Sequence, residues 1–178
     1  ILLVSANYPP RIGGPASSVP ILAGLLAKKG HSVHVVALAF PGLSRVQEAN
    51  GFTVHRAWHL GKNPFNASTL DALSTVKGMA WTVFNVMRKH NIQVIHAHDL
   101  NLSLAACILG RFIAGKAFSV PLLAKYTGDL SIEYALGYQR TTQERVHEMI
   151  QRHSFNAPLH VAVLDWVQRV LMSSVDLF

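Results

Sequence analysis

The chain has 178 residues, 50% of them hydrophobic, which is enough apolar surface for one ordinary domain with a sizeable core and excludes a disordered segment. Sixteen Lys and Arg against nine Asp and Glu leave a net charge of +7 with histidines neutral, favouring anionic partners such as phosphates, nucleotide diphosphates or an acidic membrane surface. The basic residues stand singly or in pairs (Lys28 and Lys29, Arg88 and Lys89), without a basic helix or aromatic-basic interleaving, so no nucleic-acid partner is expected.

No run reaches the ~18 apolar residues of a membrane span, and no secretory signal pattern opens the chain. A cytoplasmic domain is expected, with peripheral attachment to the inner membrane face as the variant that the charge permits. Cys107 lies in an apolar helical pattern, where packing is its expected role.

The largely apolar run 1–6, bounded by Asn7 and Pro9-Pro10, reads as a buried strand of a parallel sheet. After the loop 7–15, Val19, Leu22, Ala23 and Leu26 repeat at helical spacing, and Lys28-Lys29-Gly30 supplies a basic last turn and a terminating glycine. Val33, Val35 and Val36 mark a second strand; the segment 41–51 is turn-rich, and Phe52-Thr53-Val54 marks a third. Residues 69–89 place Leu73, Val76, Ala80, Val83 and Met87 on one helical face, and Ile92-Gln93-Val94-Ile95 reads as a fourth strand. Leu102, Ala105, Ala106, Leu109 and Ile113 give the next helix, residues 120–126 a fifth strand, and 143–152 and 159–173 two further helices.

Apolar strands alternating with helices predict an α/β fold: one doubly wound, mainly parallel, Rossmann-like sheet over residues 1–178, covered on both faces. The chain opens on Ile within a strand pattern and Val175-Asp176-Leu177-Phe178 reads as the approach to another strand, so both ends are expected to be cut. In such sheets ligands bind beyond the carboxyl ends of the strands, which brings the loops 7–15, 96–101 and 126–133 to one cleft.

Gly13-Gly14 sits where backbone amides and a helix N-terminus can approach an anion such as a diphosphate, although a tight turn needing positive φ explains the same pair. The spacing is not G-x-G-x-x-G, and no nicotinamide or flavin cofactor is expected. Arg11 beside the glycines is a phosphate or acceptor contact, or a solvated loop residue. In His96-Ala97-His98-Asp99, strand alternation puts both histidines on one side. They could contact substrate hydroxyls or, with further ligands, a metal; Asp99 or Asn101 could equally cap the following helix.

Lys125-Tyr126-Thr127-Gly128-Asp129, followed by Glu133, is a polar cluster at the end of a strand and the third candidate segment. His31, His34, His55 and His59 lie on strands or turns with no nearby partner set and read as structural or solvent-facing.

Three motifs in order, Asn7-Tyr8-Pro9-Pro10-Arg11-Ile12-Gly13-Gly14-Pro15, Lys28-Lys29-Gly30-His31 and Val94-Ile95-His96-Ala97-His98-Asp99, resemble the N-terminal domain of glycosyltransferase family 4, retaining transferases of GT-B fold. The resemblance covers nearly the whole chain. It implies a nucleotide-sugar donor held mainly by a second domain through two glutamates seven residues apart, and a glycan or lipid-linked acceptor on this one. It also implies Gly13 and Gly14 against the donor diphosphate, and His98 and Asp99 lining the acceptor or sugar side, with no metal or organic cofactor. Family members often carry a histidine at the end of the fifth strand, where this chain has Tyr126 or Thr127. Negative charge building on the leaving diphosphate would be stabilised by amides at a helix N-terminus. Two other classes fit parts of the pattern: a metal-dependent hydrolase using His96, His98 and Asp99, and an anion- or membrane-binding module presenting the loops 40–43 and 58–65.

Overall fold

The computed structural model describes residues 1–60, 69–100, 102–115, 119–125 and 159–177. The strands are β1 (Leu2–Val4), β2 (His34–Leu38), β3 (Val46–Ala49), β4 (Phe52–Ala57), β5 (Ile95–Ala97) and β6 (Leu122–Ala124). The helices are α1 (Gly14–Lys28), α2 (Thr69–Lys89), α3 (Leu102–Ile113) and α4 (Leu159–Met172). Together the strands form one sheet in the order β3-β4-β2-β1-β5-β6, parallel throughout except for the antiparallel edge strand β3.

Both faces are covered, as expected of strands that are apolar along their whole length. Leu3, Val35, Ala37 and Val54 point to one side, where Val19 and Ala23 of α1 pack on them. Leu2, Val4, Val36, Leu38, Ile95 and Ala97 point to the other, against Met79, Val83 and Val86 of α2 and Leu104 and Cys107 of α3. Each fully buried Val, Leu or Met contributes about 1.5–3 kcal/mol of transfer free energy, so these two layers hold the sheet. Burial also raises the Cys107 thiol well above its ordinary pKa, which suits the packing role read from its position.

The segment 41–51, read above as turns, contains β3. Asn50 and Gly51, at φ 51° and 85°, form a two-residue turn that pairs Ala49 with Phe52 in the hairpin to β4. The third predicted strand is therefore β4, longer than expected. The fourth, placed at 92–95, starts at Ile95 instead because Ile95 is the first residue in register with β1. Leu177 forms a parallel bridge to Leu123, in keeping with the strand approach read at 175–178. Arg111, buried at the end of α3, fastens this corner: it donates to Val120 O at 2.7 Å, Ser174 O at 3.0 Å and Asp176 Oδ2 at 2.9 Å. The helix expected over 143–152 lies outside the described residues; no described helix is long and apolar enough to cross a membrane.

Candidate functional site

The chain leaves β1 for β2 on one side and later returns to β5 on the other, so the sheet order reverses between β1 and β5. At such a switch point the loops leaving two adjacent parallel strands part and open a crevice at their carboxyl ends. Here those loops are 5–13, leading to α1, and the one that begins at 98–100 and leads to α3.

The first loop is held from below. Arg56 of β4 is buried, and its Nη1 donates to Pro9 O at 3.1 Å and Leu38 O at 3.4 Å while the guanidinium lies 5.7 Å from the centre of the Tyr8 ring. Pro9-Pro10 is a cis bond, Ser5 Oγ donates to Asn7 O at 2.7 Å, and Arg11 N donates to Tyr8 O at 3.2 Å. Arg11 extends its guanidinium over Phe40, 5.2 Å from the ring centre. Past it, Ile12 is 98% exposed.

Gly13 then adopts φ 149°, ψ 174°, a region open in practice only to glycine. A Cβ there would stand 2.5 Å from Asn7 Nδ2, whereas a Cβ on Gly14 would meet nothing within 4 Å among the described residues. Helix α1 starts at Gly14 with Pro15 in its first turn, and has neither a side-chain cap nor an acidic residue there. Its positive end thus opens on the crevice with no carboxylate in its own first turn.

On the second loop, Asp99 lies beside the start of α3. Its Oδ1 accepts from Ser103 N at 2.9 Å and its Oδ2 from Ser103 Oγ and, at 3.4 Å, from Ala6 N, which also donates to Ser103 Oγ at 2.8 Å. Asp99 is therefore a helix cap that also ties the end of β1 to α3, the capping role read from its position. His98 N donates to Val4 O at 2.9 Å, and the His96 and His98 rings lie on one side of the strand as alternation predicts, their centres 4.1 Å apart.

His98 is 2% exposed, and neither ring nitrogen has a hydrogen-bond partner among the described residues. Burial, then the neighbouring His96, then Lys125 push its pKa down to about 3, so the imidazole is neutral at pH 7. His96 is lowered by burial and by Lys125. A neutral imidazole offers one N–H and one lone pair, the complement of an alcohol that both donates and accepts.

Lys125 follows β6, its N–H bonded to Ala97 O at 2.9 Å, which puts it beside the histidine pair. The structure thus brings Gly13, Gly14, Asp99 and His98 to one edge, with Lys125 next to them. Asn101, Tyr126, Thr127, Asp129 and Glu133 lie outside the described residues. Among the described residues His96, His98 and Asp99 do not converge as a ligand set.

One reading of the sequence is corrected. His34 and His55 were expected to lack partners, yet they meet His90 in a cluster at the opposite edge of the sheet, because β2 and β4 are neighbours and α2 ends above them. His59 bonds to Ala39 O at 3.0 Å. Arg56, which sequence reasoning passed over, carried no signal beyond being a cation inside an otherwise strand-like segment.

The fold is a Rossmann-like α/β domain with a crevice at its switch point. Residues 13–176 match the model of the glycosyl transferase 4-like domain, and the chain belongs to that family. It is similar in structure to sucrose-phosphate synthase from Thermosynechococcus elongatus, a GT-B glycosyltransferase, at 16% identity and a TM-score of 0.58, over 85% of this chain and 39% of that one. A second sucrose-phosphate synthase chain from the same organism gives 14% identity and a TM-score of 0.48, with 97% of each chain covered. No curated protein sequence matches. The chain is a glycosyltransferase domain that spans 39% of the length of the first of these structures.

Proposed function

We propose that this chain is the acceptor-side, N-terminal domain of a retaining glycosyltransferase that moves a sugar from a nucleotide-sugar to a glycan or lipid-linked acceptor, a second domain supplying most of the donor contacts. The observation that supports this best is the start of α1: Gly14 is exposed and, among the described residues, has open space where a side chain would stand, at a helix N-terminus without a side-chain cap. A diphosphate fits there for a physical reason. Cleaving the bond from sugar to nucleotide builds negative charge on the leaving phosphate, and fixed N–H dipoles aimed at it stabilise that charge more in the transition state than in the ground state.

In this reading Gly13 shapes the turn and Gly14 admits the phosphate, while Arg11 and Lys125 supply positive charge at the rim. His98 meets a hydroxyl of the transferred sugar or the acceptor, its unpartnered nitrogens being satisfied when substrate displaces what covers them. Asp99 acts through the loop it holds and is a positioning residue. Tyr126, Thr127, Asp129 and Glu133 are assigned to the same site from their place in the sequence, with Asp129 as a further catalytic carboxylate. Retention at the anomeric carbon follows from the family resemblance.

Calorimetry on the full-length protein with a panel of nucleotide diphosphate-sugars tests the core of the proposal. Saturable binding of at least one of them, weakened by Gly14→Ala, is the expected result; absence of binding across the panel overturns it. Proton NMR of the first product formed then reads the anomeric configuration directly.

A further inference from the structure

The cluster of His34, His55 and His90 lies at the edge of the sheet remote from the crevice. His34 is the first residue of β2, His55 lies in β4 two residues beyond the one paired with His34, and His90 directly follows α2. Register and alternation put His34 and His55 on the same face of the sheet, the face that α2 covers. One ring nitrogen from each of the three lies within 4.8 Å of the others.

Two details make this more than three neighbouring imidazoles. His34 Nδ1 stands 3.2 Å from His55 Nε2. Two nitrogens bound to one tetrahedral zinc ion at ~2.0–2.1 Å are about 3.3–3.4 Å apart, so this pair is already spaced as a ligand pair. The other nitrogen of His34, Nε2, faces Ser32 Oγ at 3.4 Å. An outer hydrogen bond of that kind fixes the tautomer that leaves Nδ1 free to ligate. The third ring is close: the centre of His90 lies 4.0 Å from that of His34 and 6.0 Å from that of His55.

We propose that His34, His55 and His90 form a binding site for one borderline divalent transition-metal ion, with zinc as the type, which clips the end of α2 to β2 and β4. Neutral imidazoles suit such an ion and suit calcium or magnesium poorly. His34 is buried, His55 half-buried and His90 exposed, so the ion has a route from solvent and water completes its shell on the His90 side. On ligation His55 carries its proton on Nδ1, so the exchange between apo and bound forms needs only a change of tautomer. Charged groups that act on the cluster include Glu48 of β3, whose carboxylate accepts from Thr53 Oγ1 at 2.8 Å, and Lys89 at the end of α2. The role is structural: the site joins three elements and stands at the opposite strand ends from the sugar crevice.

The test is isothermal titration of the full-length protein with zinc chloride in a non-chelating buffer, alongside cobalt substitution followed by visible absorption. One zinc per chain is expected, with tetrahedral cobalt bands and a Tm that rises with zinc and falls back with EDTA. His55→Gln and His90→Gln should each weaken binding about a hundredfold, and Ser32→Ala by ten- to a hundredfold as an outer-shell change. His31→Gln, an exposed histidine nearby in sequence, should leave it unchanged. His90 is exposed, so His90→Gln tests the ligand without threatening the fold. Absent or non-stoichiometric binding overturns the proposal, as does binding that survives both substitutions or that disappears only when His96 and His98 are replaced.

Discussion

Gly13→Ala and Gly14→Ala add one methyl group each to adjacent residues, and the structure separates their effects. At Gly13 the backbone sits at φ 149°, ψ 174°, where a side chain costs about 1–3 kcal/mol. The new Cβ also falls 2.5 Å from Asn7 Nδ2, a contact that the amide relieves by rotating, so the backbone carries most of the loss. A total of about 2–3 kcal/mol corresponds to a Tm lower by roughly 4–12 °C for a domain of this size. At Gly14 nothing among the described residues lies within 4 Å of an added Cβ and φ is ordinary, so alanine should keep the Tm or raise it slightly through helix propensity. Its methyl group nevertheless stands where a phosphate would approach the first-turn amides. With full-length protein, Gly14→Ala should therefore lose at least about tenfold in kcat/KM, or ~1.4 kcal/mol, at unchanged Tm. Thermal melts by circular dichroism and initial-rate kinetics read the two quantities independently. Wild-type kcat/KM in Gly14→Ala would remove the diphosphate from this helix end, and a wild-type Tm in Gly13→Ala would refute the backbone argument. Asn7→Ala combined with Gly13→Ala should restore less than ~1 kcal/mol; full restoration would mean that the clash, rather than φ, dominates.

Arg56→Ala removes a buried guanidinium bonded to the Pro9 and Leu38 carbonyls and should cost about 3 kcal/mol in urea unfolding, with Arg56→Lys recovering less than half because one ammonium cannot reproduce the planar fork. Asp99→Ala should cost about 2 kcal/mol, since it strips the acceptor from Ser103 N and from the Ser103 hydroxyl; a loss below ~0.5 kcal/mol would show that the cap is idle. His98 titrates near 3 in the folded chain and near 6.5 unfolded, so it has no effect on stability above pH ~6.5. As pH falls below that value the unfolded chain takes up a proton that the folded chain refuses, and stability declines by up to ~1.4 kcal/mol per pH unit towards pH 3. Urea midpoints measured from pH 7.5 to 5 should fall more gently in His98→Asn than in the wild type, and identical slopes would count against a buried neutral ring.

What the sequence made legible was local. Helix α1 ends where Lys28-Lys29-Gly30 foretold, α2 spans 69–89 as its apolar repeat foretold although Leu73 is exposed, and Asp99 caps α3 from four residues before Ser103. Strand β3 escaped because its side chains are exposed or half-exposed and so carry no alternation, although Asn50-Gly51 is the strongest short-range hairpin signal a sequence offers. Contacts between distant elements were illegible for a different reason. Arg56 reaches Pro9 across 47 residues, and His34 meets His55 and His90 only because β2 pairs with β4 and α2 ends above both. No spacing rule along the chain encodes such meetings.

The crevice combines both kinds of information. Gly13-Gly14 and His98-Asp99 are readable motifs, but that they face one cleft depends on β5 lying beside β1 and not beyond β4. Crossover chemistry argues for that order. Helix α1 covers one face of the sheet and α2 the other, and connections of one hand on opposite faces step in opposite directions along the sheet, β1 to β2 one way and β4 to β5 the other. Had α2 carried its apolar stripe to the face that α1 occupies, β5 would have joined the far side of the sheet and His98 would stand several strands away from Gly13. The amphipathic pattern of α2, far from any reacting atom, is thus as much a determinant of this site as the glycines themselves.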